Sequence, residues 1–133
     1  MVPARYRTWT TPKRVALIQG VFYAVFGLWP LVNISTFQAL TGPKADLWLV
    51  KIVGLLLAVD GLIMLAARLR RRMPLEIALL GAASALVLGA ADVVYVLEGT
   101  ICWIYLLDAV AEGSLLAGWI VALREHRYAF EYG

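Results

Sequence analysis

Four long apolar runs dominate the chain, separated by short stretches where polar and charged residues gather. The runs cover about residues 12–31, 47–67, 75–97 and 101–123. Each holds roughly 20 residues, which as a helix rising ~1.5 Å per residue crosses a hydrocarbon layer of ~30 Å. Polarity does not alternate along any of them, so a transmembrane barrel is not expected. Helices satisfy every backbone group internally, as lipid requires. The pattern predicts an all-α integral membrane protein: one domain over residues 1–133, folded as a bundle of four transmembrane helices.

Local signals mark the ends of the runs. Thr11 is an expected N-cap before Pro12, which suits the first helical position because no N–H is needed there. Pro30 is expected to help end the first helix. Arg68, Arg70, Arg71 and Arg72 stop the second run, Pro74 precedes the third, Glu98-Gly99-Thr100 forms a tight turn before the fourth, and Arg124 stops that one. In the long connection between the first two runs, Ser35-Thr36-Phe37-Gln38 fits a capping box and Gly42-Pro43 a helix stop. These predict a short surface helix. Asn33-Ile34-Ser35 also matches a glycosylation sequon, a very short motif.

Composition supports the membrane assignment. Hydrophobic residues make up 62% and charged residues 16% of the 133 residues, with a mean hydropathy of +0.81. A core this small could not hide such an excess from water. The net charge of +3 is not a nucleic-acid signal, because the cations sit at the ends of apolar runs. Arg5, Arg7, Lys13 and Arg14 precede the first run, four arginines join the second to the third, and Arg124 and Arg127 follow the fourth. The positive-inside rule then places both termini and the arginine loop in the cytoplasm. The expected location is the cell's inner (plasma) membrane, crossed four times. The Ala-, Leu- and Arg-rich composition is of a bacterial kind. Trp29, Trp48 and Trp103 are expected as anchors at the outer boundary, and Trp9, Trp119 and Tyr128 at the inner one.

The single cysteine, Cys102, excludes an internal disulfide, a dithiol redox pair and a cysteine metal cage. His126 reads as a solvated tail residue. No cofactor motif and no catalytic set is present, so no cofactor and no catalytic residue is assigned, and enzymatic activity is not expected.

Ionisable residues within spans are functional candidates by default. Lys51, Asp60, Asp92, Asp108 and Glu112 lie well inside the runs. Counted from the run ends, Lys51 and Asp92 fall about 9 Å to the outer side of the midplane, Asp108 about 6 Å, and Glu112 near the centre. Asp60 falls about 5 Å to the inner side, level with Gln19. Asp108 and Glu112 share a helix face. Lys51 and Asp60 are out of phase, so they cannot both point at one axis, and Lys51 is expected to pair with Asp92. Asp60 and Glu112, near Gln19 and Tyr23, are placed to share protons. The candidate buried polar site is therefore Gln19, Tyr23, Lys51, Asp60, Asp92, Asp108 and Glu112.

Small residues recur at helical spacing: Gly20, Ala24 and Gly27; Gly54, Ala58 and Gly61; Gly81, Ser84 and Ala85. Such faces let helices approach closely. Ala16-Leu17-Ile18 and Ala78-Leu79-Leu80, with Gly27 aligned to Gly89, hint at a duplicated hairpin. In length and span count, though in no motif, the chain resembles small bacterial four-span families such as the DoxX-like proteins.

Two functional readings follow. The first is a non-enzymatic scaffold or accessory subunit, with the bilayer, a second copy or another membrane protein as partner. The alternative is a binder of a small apolar or cationic molecule, a lipid or an ion, working as a proton-coupled carrier through its carboxylates.

Overall fold

The computed structural model describes residues 11–125 and 130–131. Arg5, Arg7, Trp9, His126, Arg127 and Tyr128 lie outside the described residues, and so does their part in the topology argument.

Among the described residues there are five helices: α1 (Thr11–Val32), α2 (Ile34–Thr41), α3 (Leu47–Ala67), α4 (Leu75–Leu97) and α5 (Tyr105–Glu125). All but α2 are long and apolar enough to cross a membrane. One two-residue parallel pairing joins β1 (Met73–Pro74) to β2 (Phe130–Glu131), with Met73 opposite Phe130. Both of those side chains are buried, so the pairing closes the arginine-loop end of the bundle.

Four details differ from the sequence expectation. Thr11 lies inside the first turn of α1 instead of capping it. Pro30 does not end α1. Its ring packs toward Gly54 while the helix runs on to Val32. The cap of α2 is Asn33, two residues before the expected Ser35, and its side chain accepts the Thr36 N–H at 3.1 Å. A short amide-bearing side chain at that point satisfies an otherwise orphaned N–H. The fourth span begins at Tyr105, not at 101. After α4 the Thr100 N–H reaches back to the Tyr95 carbonyl at 2.9 Å and Gly99 takes φ +78°. Residues up to Ile104 are then spent in turns of the tighter kind, such as Leu106 N–H to the Trp103 carbonyl at 2.9 Å.

Glycine contacts explain the packing. In α1 and α3, Gly20 faces Gly61 and Gly27 faces Gly54 across antiparallel backbones. A methyl group at Gly20 would lie 2.8 Å from the Gly61 carbonyl oxygen, and one at Gly27 or Gly54 would collide with the opposing backbone. This close approach of two backbones supplies dispersion contacts that hold the helices together. In the second hairpin, Gly81 of α4 lies under the Trp119 indole of α5, and Gly89 lies against Glu112. The aligned glycines Gly27 and Gly89 thus meet different kinds of neighbour. The two hairpins join through a buried core at the arginine-loop end, built from Val15, Met64, Met73, Ala78, Trp119 and Phe130.

Candidate functional site

Two polar contacts cross the interior, one turn of α1 apart. Gln19 is fully buried. Its Nε2 donates to the Gly81 carbonyl at 2.9 Å, and its Oε1 accepts the Trp119 indole N–H, so one side chain ties α1 to α4 and α5. The Tyr23 hydroxyl donates to Glu112 Oε2 at 2.8 Å. Both residues are buried, Glu112 to 1% exposure. Trp119 was expected as a boundary anchor. It is instead the largest fully buried side chain, because Gly81 leaves room for its ring and Gln19 satisfies its N–H. Trp48 and Trp103, by contrast, are exposed.

Beyond Glu112, toward the α2 end, the hairpins flank a cleft of about 670 Å³ that is open on one side. One wall is aromatic. Phe22, Phe26, Trp29 and Phe37 stack in sequence with ring centroids 4.9–5.8 Å apart, mostly edge to face. The Trp29 indole is fixed to α2 by a 2.8 Å bond to Thr36 Oγ1. Aliphatic residues of α3, among them Val50, Val53 and Leu57, line a second side.

The third side carries acids. Asp92 of α4 and Asp108 and Glu112 of α5 all line the cavity. The helices run antiparallel, so residues rising along α4 meet residues falling along α5, and Asp108 and Glu112 are the acidic neighbours of Asp92. Asp92 is 7% exposed, its Oδ2 is fully occluded, and its carboxyl group is within hydrogen-bonding reach of Asp108. The one lysine on the lining, Lys44, is held at the rim. Its Nζ donates to the Thr41 and Gly42 carbonyls at 3.0 and 3.1 Å and lies 5.1 Å from the centre of the Tyr105 ring.

No family model, curated protein or solved structure matches the chain. The site therefore has to be read from its own geometry.

Of the seven residues expected to form one polar site, Tyr23, Asp92, Asp108 and Glu112 line the cavity, and Gln19 sits one helical turn below Tyr23. Lys51 and Asp60 do not line it. The expected Lys51–Asp92 pair is not formed, since the charged neighbours of Asp92 are Asp108 and Glu112. Asp60 and Glu112 do not share a contact either, because the acceptor role of Glu112 goes to Tyr23 of α1. Both Lys51 and Asp60 are half-buried on α3. The aromatic wall and the Lys44–Tyr105 rim were not picked out from the sequence as site features. The signal for the wall was present in the spacing of Phe22, Phe26 and Trp29, which repeats every three or four residues.

The three acids do not form a metal cage. Among the described residues no group of three His, Cys, Asp or Glu side chains is arranged to hold a metal ion. The arrangement offers instead a large apolar volume with hydrogen-bond acceptors on one side.

Proposed function

We propose that the chain is a multi-pass protein of the cell's inner (plasma) membrane, with both termini in the cytoplasm, that binds an apolar small molecule between its two hairpins. One observation carries this reading: a partly open cleft of about 670 Å³, aromatic and aliphatic on two sides, with Asp92, Asp108 and Glu112 on the third. Its size falls within the ~300–1,000 Å³ of ligand pockets, and mostly apolar walls with a few converging polar groups are their usual make-up. Large apolar side chains along the outside of the bundle, such as Ile18, Leu56, Val87 and Val110, are exposed. That suits contact with acyl chains. The cavity lies at the α2 end, which the charge map makes the outer half of the membrane.

Ala111 lines the cavity from α5 and is half-buried. Replacing it with tryptophan would fill much of the space, while the same change at the exposed Ala117 is a control for the fold. Native mass spectrometry of the purified protein should show a retained small molecule that Ala111→Trp expels and Ala117→Trp keeps. A protein that carries nothing and binds an apolar fluorophore equally well with Ala111→Trp would overturn the reading.

The second reading, a scaffold or accessory subunit, rests on a different face. Most of the small-residue stripes are used inside the bundle, but a methyl group added at Gly113 would meet no neighbouring element within 4 Å, and Ser114 and Ala117 beside it are exposed. Disulfide trapping of Gly113→Cys between two copies in native membranes would favour this reading, and its absence together with a monomeric mass would remove it.

A further inference from the structure

The mouth of the cleft combines hydrocarbon with a fixed positive charge. α3 packs closely on α1 but only sparingly on the second hairpin. Leu40, Leu49, Val53 and Leu107 line the cleft and are themselves exposed, so they border its open side. In a bilayer such a gap meets acyl chains, which are as apolar as the leucines around it. The acids on the lining are engaged by the chain's own groups, Asp92 with Asp108 and Glu112 with Tyr23. The charge at the rim is held differently. The Lys44 backbone N–H donates to Gln38 Oε1 at 3.0 Å, and its Nζ donates to the Thr41 and Gly42 carbonyls beside the Tyr105 ring. An ammonium has three donors, and the two carbonyls take two of them. Among the described residues no carboxylate lies within ion-pair distance of Nζ. These contacts hold a positive charge in one place without neutralising it. A molecule that complements the whole mouth carries a hydrocarbon chain with an anion at its end.

Resting on the ligand-binding reading above, we propose that the occupant is a membrane phospholipid. One acyl chain enters through the open side and lies along Phe22, Phe26 and Trp29, while the phosphate accepts the third N–H of Lys44. A hydrogen bond between two charged groups is stronger than one between neutral groups. Lys44 stands in the connection between α2 and α3, which the charge map puts at the outer headgroup level. The phosphate therefore stays near its own layer, and binding draws only a chain sideways.

The test compares two lipids with the same pyrene-labelled acyl chain, a phosphatidylglycerol and a diacylglycerol, titrated into the full chain in uncharged dodecyl maltoside. The phosphatidylglycerol should bind about fivefold more tightly, as one ion pair at a half-exposed rim implies. Lys44→Gln should bring the two affinities together, and Lys44→Arg, which keeps the charge, should keep them apart. Lys51→Gln removes a charge outside the lining and should also keep them apart. A native chain that binds phosphatidylglycerol no better than diacylglycerol, or a preference that survives Lys44→Gln, would overturn the phosphate assignment. Binding of neither lipid, with neutral 1-pyrenebutanol still taken up, would overturn the phospholipid and leave the apolar pocket standing. Binding of none of the three would overturn the pocket itself.

Discussion

Replacing Gln19 with leucine tests how the hairpins are held together. The two side chains are similar in size, so the packing of α1 against its neighbours is largely kept and the change isolates polar contacts. In the native chain Gln19 accepts from Trp119 and donates to the Gly81 carbonyl. With leucine, a buried indole N–H and a buried carbonyl both lose their partners. Each such orphan costs about 1–3 kcal/mol by soluble-protein measures. Interhelical hydrogen bonds within membranes average nearer ~0.6 kcal/mol and reach ~1.7, because the separated helices also find partners. Two bonds therefore predict a loss of about 1–3 kcal/mol. Unfolding in increasing mole fractions of dodecyl sulfate measures it. A cycle with Trp119→Phe, which deletes the donor, should return a coupling of about 0.5–1.5 kcal/mol between the two positions. Stability of Gln19→Leu within a few tenths of native, or a coupling of zero, would refute the idea that this residue ties three helices together.

Three further outcomes are expected. Gly54→Leu should lower stability by more than about 3 kcal/mol, above the usual cost of overpacking, because its side chain would meet the Gly27 backbone; the same unfolding assay reads it, and a mild effect would mean that α1 and α3 do not touch there. Asn33→Ala should remove the α2 cap and cost about 0.5–2 kcal/mol, with faster amide hydrogen exchange confined to residues 34–37; unchanged exchange would reject the cap. Impermeant thiol reagents should label a cysteine placed at exposed Ala39 of α2 from outside the cell and one at exposed Arg71 only after lysis, and the reverse pattern would invert the assigned orientation.

The helices were legible because their lengths and ends are one-dimensional properties. The arginines after Ala67, the proline before Leu75 and the turn at Gly99 each act on the local backbone, so α3 and α4 have the bounds their sequence implies. The start of α5 was not legible, because 100–104 are occupied in reversing the chain, and their apolar character hides that role. Trp119 failed for a related reason. An indole near a span end suits a headgroup boundary, and only the pairing of α4 with α5 reveals Gly81 beneath it. The glycine stripes announced close packing but not its partner. The fold spends them on contacts within one chain, so bulky changes at Gly54 or Gly81 report on folding before they report on any assembly. The cavity could not be read at all, since it arises from how two hairpins meet and no single helix contains it.

Polar groups divide by position along this bundle, and the division bears on function. At the arginine-loop end the Gln19 network is closed, with Gly81 and Trp119 supplying its partners. That arrangement fits glue, because a complete network holds helices and has little left to offer. One turn further along α1, Tyr23 satisfies one oxygen of Glu112. Further still, Asp92 lies beside Asp108 and Glu112 on the lining of the cleft. These three acids line the space the helices leave, opposite aromatic rings fixed in place by Thr36 and Phe37. Carboxyl groups gathered where free volume rises suit the proposed binding site, and acids confined to the closed end would have favoured a purely structural role.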